Sequence, residues 1–91
     1  MPENQNLKTV SFEFRGDPDL EVFLAGSFND WDFSGLRLVD SDRSGVYRIS
    51  MELPCGKHEY KFLINGRWIV DPANPSQVPN VVGSMNSVIE V

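Results

Sequence analysis

Apolar and polar residues alternate with a period of two in several stretches of this chain, most sharply between Tyr60 and Val70. There the sequence reads YKFLINGRWIV. Asn65-Gly66 supplies two residues that tolerate positive φ, as a type I′ turn requires, and β-rich runs flank it. A two-residue loop fixes the register, so Ile64 pairs with Arg67, Leu63 with Trp68, Phe62 with Ile69 and Lys61 with Val70. Paired side chains share a face, and alternate positions switch faces. Tyr60, Phe62, Ile64 and Ile69 therefore form a core stripe, while Lys61, Leu63, Trp68 and Val70 point the other way. Lysine is rarely fully buried, so that second face is the wet one. An indole held in water on a rigid strand is explained by something that stacks on it.

The same pattern places the remaining elements. After a polar tail, Met1 to Leu7, the residues Val10, Phe12 and Phe14 alternate with polar neighbours as in a half-buried strand. Gly16-Asp17-Pro18-Asp19 is a turn. Glu21 to Ala25 is near-continuously apolar, as a central strand would be, and Gly26 opens the loop SFNDWDFSG. Leu36 to Val39 is a short strand, DSDRSG a polar turn and Val46 to Leu53 a longer strand. Pro54-Cys55-Gly56 reverses the chain into the hairpin. DPANPSQVPN is too rich in proline to be a strand, and Val88 to Val91 returns as the last one. No stretch has helical periodicity. Six to eight short antiparallel strands joined by turn residues predict an all-β, immunoglobulin-like β-sandwich in a single domain, residues 8–91.

Composition narrows the function more than the fold. The 91 residues are 41% hydrophobic and 11% aromatic, enough for one small core. A net charge of −5, with only eight Lys and Arg, argues against nucleic acid, which needs a basic stripe. No apolar run approaches membrane-spanning length. The single cysteine, Cys55, has no internal partner, which fits a reducing compartment and a cytoplasmic location.

Catalytic and metal chemistry find little support. Lone His58 and lone Cys55 make neither a zinc site nor a nucleophilic set. The turn from Asp40 to Gly45 is superficially like the start of a calcium loop, but Met51 stands at the bidentate position and the flanks are strands. A glycosidase needs two carboxylates across a cleft. Asp30, Asp32 and Asp71 have little room for one in so small a domain. No cofactor, metal or catalytic residue is expected.

The tryptophans carry the positive signal. Indole faces suit glucose rings, whose axial C–H groups form a weakly polar plate while the hydroxyls stay at the wet rim. Against this stands the simpler reading of a core tryptophan, which the register argues against for Trp68 but pattern alone does not decide for Trp31. Lys61 could donate to sugar hydroxyls beside the platform, or be a plain solvated strand lysine. Asn86 could bind a vicinal diol, although turn asparagines more often bond their own backbone.

Three segments, VFLAGSFNDWD, LPCGKHEYKFLINGRWIVDPANP and NVVGSMNSVIEV, together resemble the glycogen-binding domain of AMP-activated protein kinase β subunits. More broadly they resemble the family 48 carbohydrate-binding modules, which are also attached to branching and debranching enzymes. The likeness covers nearly the whole chain after the tail. It implies an early-set immunoglobulin-like sandwich that binds α-1,4-linked glucan: glycogen, starch, maltodextrin or cyclodextrin. The family's stacking tryptophans fall on Trp31 and Trp68, its lysine on Lys61 and its asparagine on Asn86. The leucine that packs into the glucan coil corresponds to Val82 and the threonine to Ser84, two conservative departures. The resemblance also leaves room for an enzyme or kinase partner. The alternative expectation is a protein-docking sandwich that binds no sugar.

Overall fold

A computed structural model describes residues 7–91, and eight strands run through them without a helix. They are β1 (Leu7–Arg15), β2 (Val22–Gly26), β3 (Arg37–Leu38), β4 (Val46–Pro54), β5 (Lys57–Ile64), β6 (Arg67–Ile69), β7 (Gln77–Pro79) and β8 (Met85–Glu90). All pairings are antiparallel. β1 and β4 form one sheet, while the other has the order β3-β2-β5-β8-β7, with β6 also on β5. An isolated bridge between Val39 and Arg48 links the two at one side. This is the expected all-β, immunoglobulin-like sandwich.

The core lies between the sheets and is largely aromatic. Phe12 of β1 meets Tyr60 of β5 edge-on at 4.9 Å between ring centres, and Phe14 meets Phe62 at 5.8 Å. Val22, Leu24, Leu38, Tyr47 and Leu53 close the cluster. Edge-to-face rings contribute beyond the area they bury, so these contacts fix how the sheets sit on each other. Tyr47 adds a polar clasp, donating to the Asp17 carbonyl at 2.6 Å and accepting from the Leu20 N–H at 2.8 Å.

β5 is the spine of the larger sheet. One edge pairs with β2 from Tyr60 to Ile64. The other carries β6 against Phe62–Ile64 and β8 against Lys57–Tyr60, one after the other. The hairpin register is the predicted one at Ile64–Arg67, Leu63–Trp68 and Phe62–Ile69. The fourth expected pair, Lys61–Val70, lies beyond the end of β6. Asn65 and Gly66 have φ of 48° and 84°, the two positive values that the turn needs. Tyr60, Phe62 and Ile64 are buried, and Trp68 is 46% exposed.

Some boundaries differ from expectation. The proline-rich segment contains a strand after all: β7 pairs with β8 through Gln77–Ser87, Val78–Asn86 and Pro79–Met85. It is an edge strand, where a proline lacking an N–H is tolerated because one side needs no partner. β8 opens at Met85 rather than Val88, since β7 supplies the neighbour for its first half. Leu7, assigned to the tail, already pairs with Pro54. The rest of that tail lies outside the described residues.

Candidate functional site

The outer face of the larger sheet holds an open groove of about 730 Å³, against about 460 and 400 Å³ for two smaller hollows elsewhere. It has the size of a small-ligand site. Its lining includes Trp31, Lys61, Trp68, Val82, Ser84 and Asn86, the full set of site residues expected from the sequence. Three segments far apart in the chain deliver them: the loop after β2, the β5–β6 hairpin and the β7–β8 turn.

Trp68 is placed by the hairpin. Sitting opposite Leu63, it faces away from the core, and the Phe33 ring braces it edge-on at 6.1 Å and 84°. Trp31 is placed by backbone geometry that no alternation pattern could reveal. The Gly26 carbonyl accepts from the N–H groups of Asn29 at 3.1 Å and Trp31 at 2.9 Å. The Asn29 side chain accepts from the Gly26 N–H at 3.0 Å and donates to the Asp32 carbonyl at 2.9 Å. The chain turns so tightly here that Asp30 and Trp31 both adopt left-handed backbone, φ 56° and 60°. Such geometry is costly for a bulky residue and is found where the surroundings enforce it. Gly26 is required at the start: a methyl there would collide with the Glu59 carbonyl oxygen and the Phe28 ring.

The polar side chains form one connected set. Lys61 follows Tyr60 on β5 and so faces outward, where Nζ donates to Ser84 Oγ at 3.2 Å. It is a held lysine rather than a freely solvated one. Asn86 is buried, 6% exposed, on β8. Its Oδ1 accepts from Asn80 Nδ2 at 3.0 Å and its Nδ2 donates to Glu59 Oε1 at 3.0 Å. The expectation that a turn asparagine bonds its own backbone is met at Asn80 instead, which caps the loop leading to Ser84. Val82 stands at the tip of that loop, 81% exposed, beside Val81.

Glu59, Asn80 and Phe33 belong to this surface and were missed from sequence. Glu59 was legible, since it lies two positions before Lys61 and shares its face. Phe33 had a weaker signal, an aromatic in a polar loop. Asn80 had only its place before Val81-Val82-Gly83, a turn-like spacing.

Two of the acidic residues weighed for catalysis, Asp71 and Asp32, and the two of the calcium-like turn are engaged in local hydrogen bonds. The Asp71 carboxylate accepts from the Tyr60 hydroxyl at 2.7 Å and the Ala73 N–H at 2.9 Å. The Asp32 carboxylate accepts from both the N–H and the hydroxyl of Ser34, and these bonds hold its carboxyl below the usual range. Asp40 and Asp42 fold their own turn by accepting from Ser44 and Gly45. Cys55 is a free, exposed thiol. No group of metal-ligating side chains occurs among the described residues, and no helix there is long and apolar enough to cross a membrane.

Comparison with known proteins places the chain as a whole. Residues 8–91 match the family model described as the glycogen recognition site of AMP-activated protein kinase. Over 71 residues, 78% of the chain, the sequence is 44% identical to 5'-AMP-activated protein kinase subunit beta-1 of Sus scrofa, covering 54% of that protein. It is 42% identical to the Rattus norvegicus beta-1 subunit and 39% to the Mus musculus beta-2 subunit, over 24% and 25% of their lengths. The chain thus spans about half or less of the curated relatives it matches. Among solved structures, the enterobactin esterase FES of Shigella flexneri superposes with a TM-score of 0.75 over 100% of this chain and 31% of its own. At 16% identity that likeness concerns the fold alone. The matching family is one of non-catalytic carbohydrate-binding modules. The chain belongs to the glycogen recognition domain family of AMP-activated protein kinase β subunits.

Proposed function

We propose that this chain binds α-1,4-linked glucan in the groove of its larger sheet, as a targeting module with no catalysis of its own. The observation that carries the reading is the meeting of Trp31, Trp68, Lys61, Ser84, Asn86 and Val82 around one open groove. Trp31 and Trp68 stack successive glucose rings of a curved chain. Lys61, Ser84 and Asn86 bond the hydroxyls at the rim, and Val82 fills the hollow of the coil. A valine there makes a smaller apolar contact than leucine, so an added methylene should tighten binding. Glycogen, starch, maltodextrins and cyclodextrin all present this surface, and a cytoplasmic enzyme or kinase acting on such glucans is the partner that the module would bring to its substrate.

Mobility in native gels containing glycogen tests the reading. Wild type should be retarded, and Trp68→Ala and Trp31→Ala should each run free while keeping the wild-type circular dichroism spectrum. Unretarded wild type at high glycogen would replace it with the protein-docking reading, in which exposed Trp68, Val81 and Val82 anchor a partner chain instead.

A further inference from the structure

The polar groups of the groove are joined through Asn80. Its Oδ1 accepts from the backbone N–H groups of Val82 at 3.1 Å and Ser84 at 3.0 Å. A backbone N–H only donates, so the carbonyl end of Asn80 faces its own loop and the amide end must face away. There Nδ2 donates to Ser84 Oγ at 2.7 Å and to Asn86 Oδ1 at 3.0 Å. Asn86 is thereby turned so that its own Nδ2 donates to Glu59 Oε1 at 3.0 Å. A carboxylate accepts, so the two ends of the relay agree: backbone donors orient Asn80, and Glu59 orients Asn86.

Hydrogen-bond arithmetic then decides what the groove offers a ligand. Ser84 Oγ accepts from both Asn80 and Lys61, which engages its two lone pairs. Its remaining capacity is the O–H proton. Asn86 retains one N–H and Lys61 two, while Asn80 occupies one of the two lone pairs on the Asn86 carbonyl. We propose that Asn80 is a positioning residue that sets the polarity of the groove, turning Ser84, Asn86 and Lys61 into a convergent set of donors. Such a set binds the oxygen lone pairs of neighbouring sugar hydroxyls, and Glu59 is the acceptor at its edge. This inference rests on the groove being the glucan site, and it adds a residue with no ligand contact of its own.

The test is titration of maltoheptaose into wild type, Asn80→Asp, Ser84→Ala and the double variant, with Trp68→Ala alongside. Asn80→Asp keeps the oxygen that caps the loop and exchanges the donor for an acceptor. The Ser84 hydroxyl would then turn toward the new carboxylate and the Asn86 carbonyl would be repelled. Affinity should fall about tenfold, as when a polar group is left facing a like one. Ser84→Ala should weaken wild type but add less than about twofold on top of Asn80→Asp, because coupled sites are not additive. Wild-type affinity in Asn80→Asp, or losses that simply multiply, would overturn the proposal. Wild type that binds no maltoheptaose would instead remove the glucan reading, and the polarity role with it. Should Asn80→Asp fail to fold, the side-chain amide resonances of wild type decide. Sugar should shift one proton of the Asn86 amide and leave both protons of Asn80 in place, and a comparable shift at Asn80 would make it a direct ligand and refute the positioning role.

Discussion

Single residues in this protein show how backbone conformation is matched to side chain. Asn65 does two jobs in the hairpin turn. It adopts left-handed backbone at φ 48°, and its Oδ1 accepts from the Glu21 N–H at 2.9 Å, tying the hairpin to β2. Asn65→Ala should therefore lose both, costing about 1–2 kcal/mol in urea unfolding. Asn65→Gly keeps the conformation and should cost clearly less; equal losses would mean that the side-chain bond alone matters. Trp31 is the harder case. Its half-buried position rests on two consecutive left-handed residues and on the Asn29 side chain, and nothing in the local sequence SFNDW specifies that geometry to a reader of periodicity.

At the level of elements, the hairpin was legible because a two-residue Asn-Gly loop allows one register, and one register assigns every side chain to a face. β7 was not. Proline content argues against a strand in general, and only the sheet order reveals that this one has a free edge. Inside β5 the Tyr60 hydroxyl is caught between Asp71, to which it donates at 2.7 Å, and the Asn74 amide, from which it accepts at 3.1 Å. Burial pushes this hydroxyl well above the ordinary phenol value of 10.0; the Asn74 bond opposes the shift and the Asp71 carboxylate adds to it. The folded group thus keeps its proton where the unfolded one has lost it. Its stabilising contribution is complete below about pH 10 and declines as pH rises further. Between pH 9.5 and 11, Tyr60→Phe should lower the melting temperature at every pH but flatten its alkaline decline. An unchanged slope would place the alkaline sensitivity in other groups. Packing on the same strand is worth more: Phe62 is fully buried, and Phe62→Ala should cost about 3–5 kcal/mol in chemical denaturation.

For the molecule as a whole, the sequence disclosed the fold class and the six groove residues far better than how they are wired together. Fold class follows from short-range alternation, and the groove residues from motif likeness. The wiring through Asn80 and Glu59 joins positions separated by a strand and a loop, and such contacts leave no periodic trace. Net charge leads to a further expectation. The chain carries −5 overall, whereas its proposed ligand is neutral. Raising ionic strength from 50 to 500 mM should change maltoheptaose affinity by less than about twofold, since screening acts only on charge–charge attraction. A steep loss would show that the groove selects an anionic ligand instead.

β5 gives alternate side chains to opposite duties, Tyr60, Phe62 and Ile64 to the interior and Glu59, Lys61 and Leu63 to the groove face. A slip of one residue would exchange the two sets, drowning three large apolar groups and driving a lysine into the core. Quality control of the proposed binding surface is therefore built into folding. A preparation of this domain should contain no well-packed molecules with a scrambled groove, and the fraction that folds should equal the fraction able to bind.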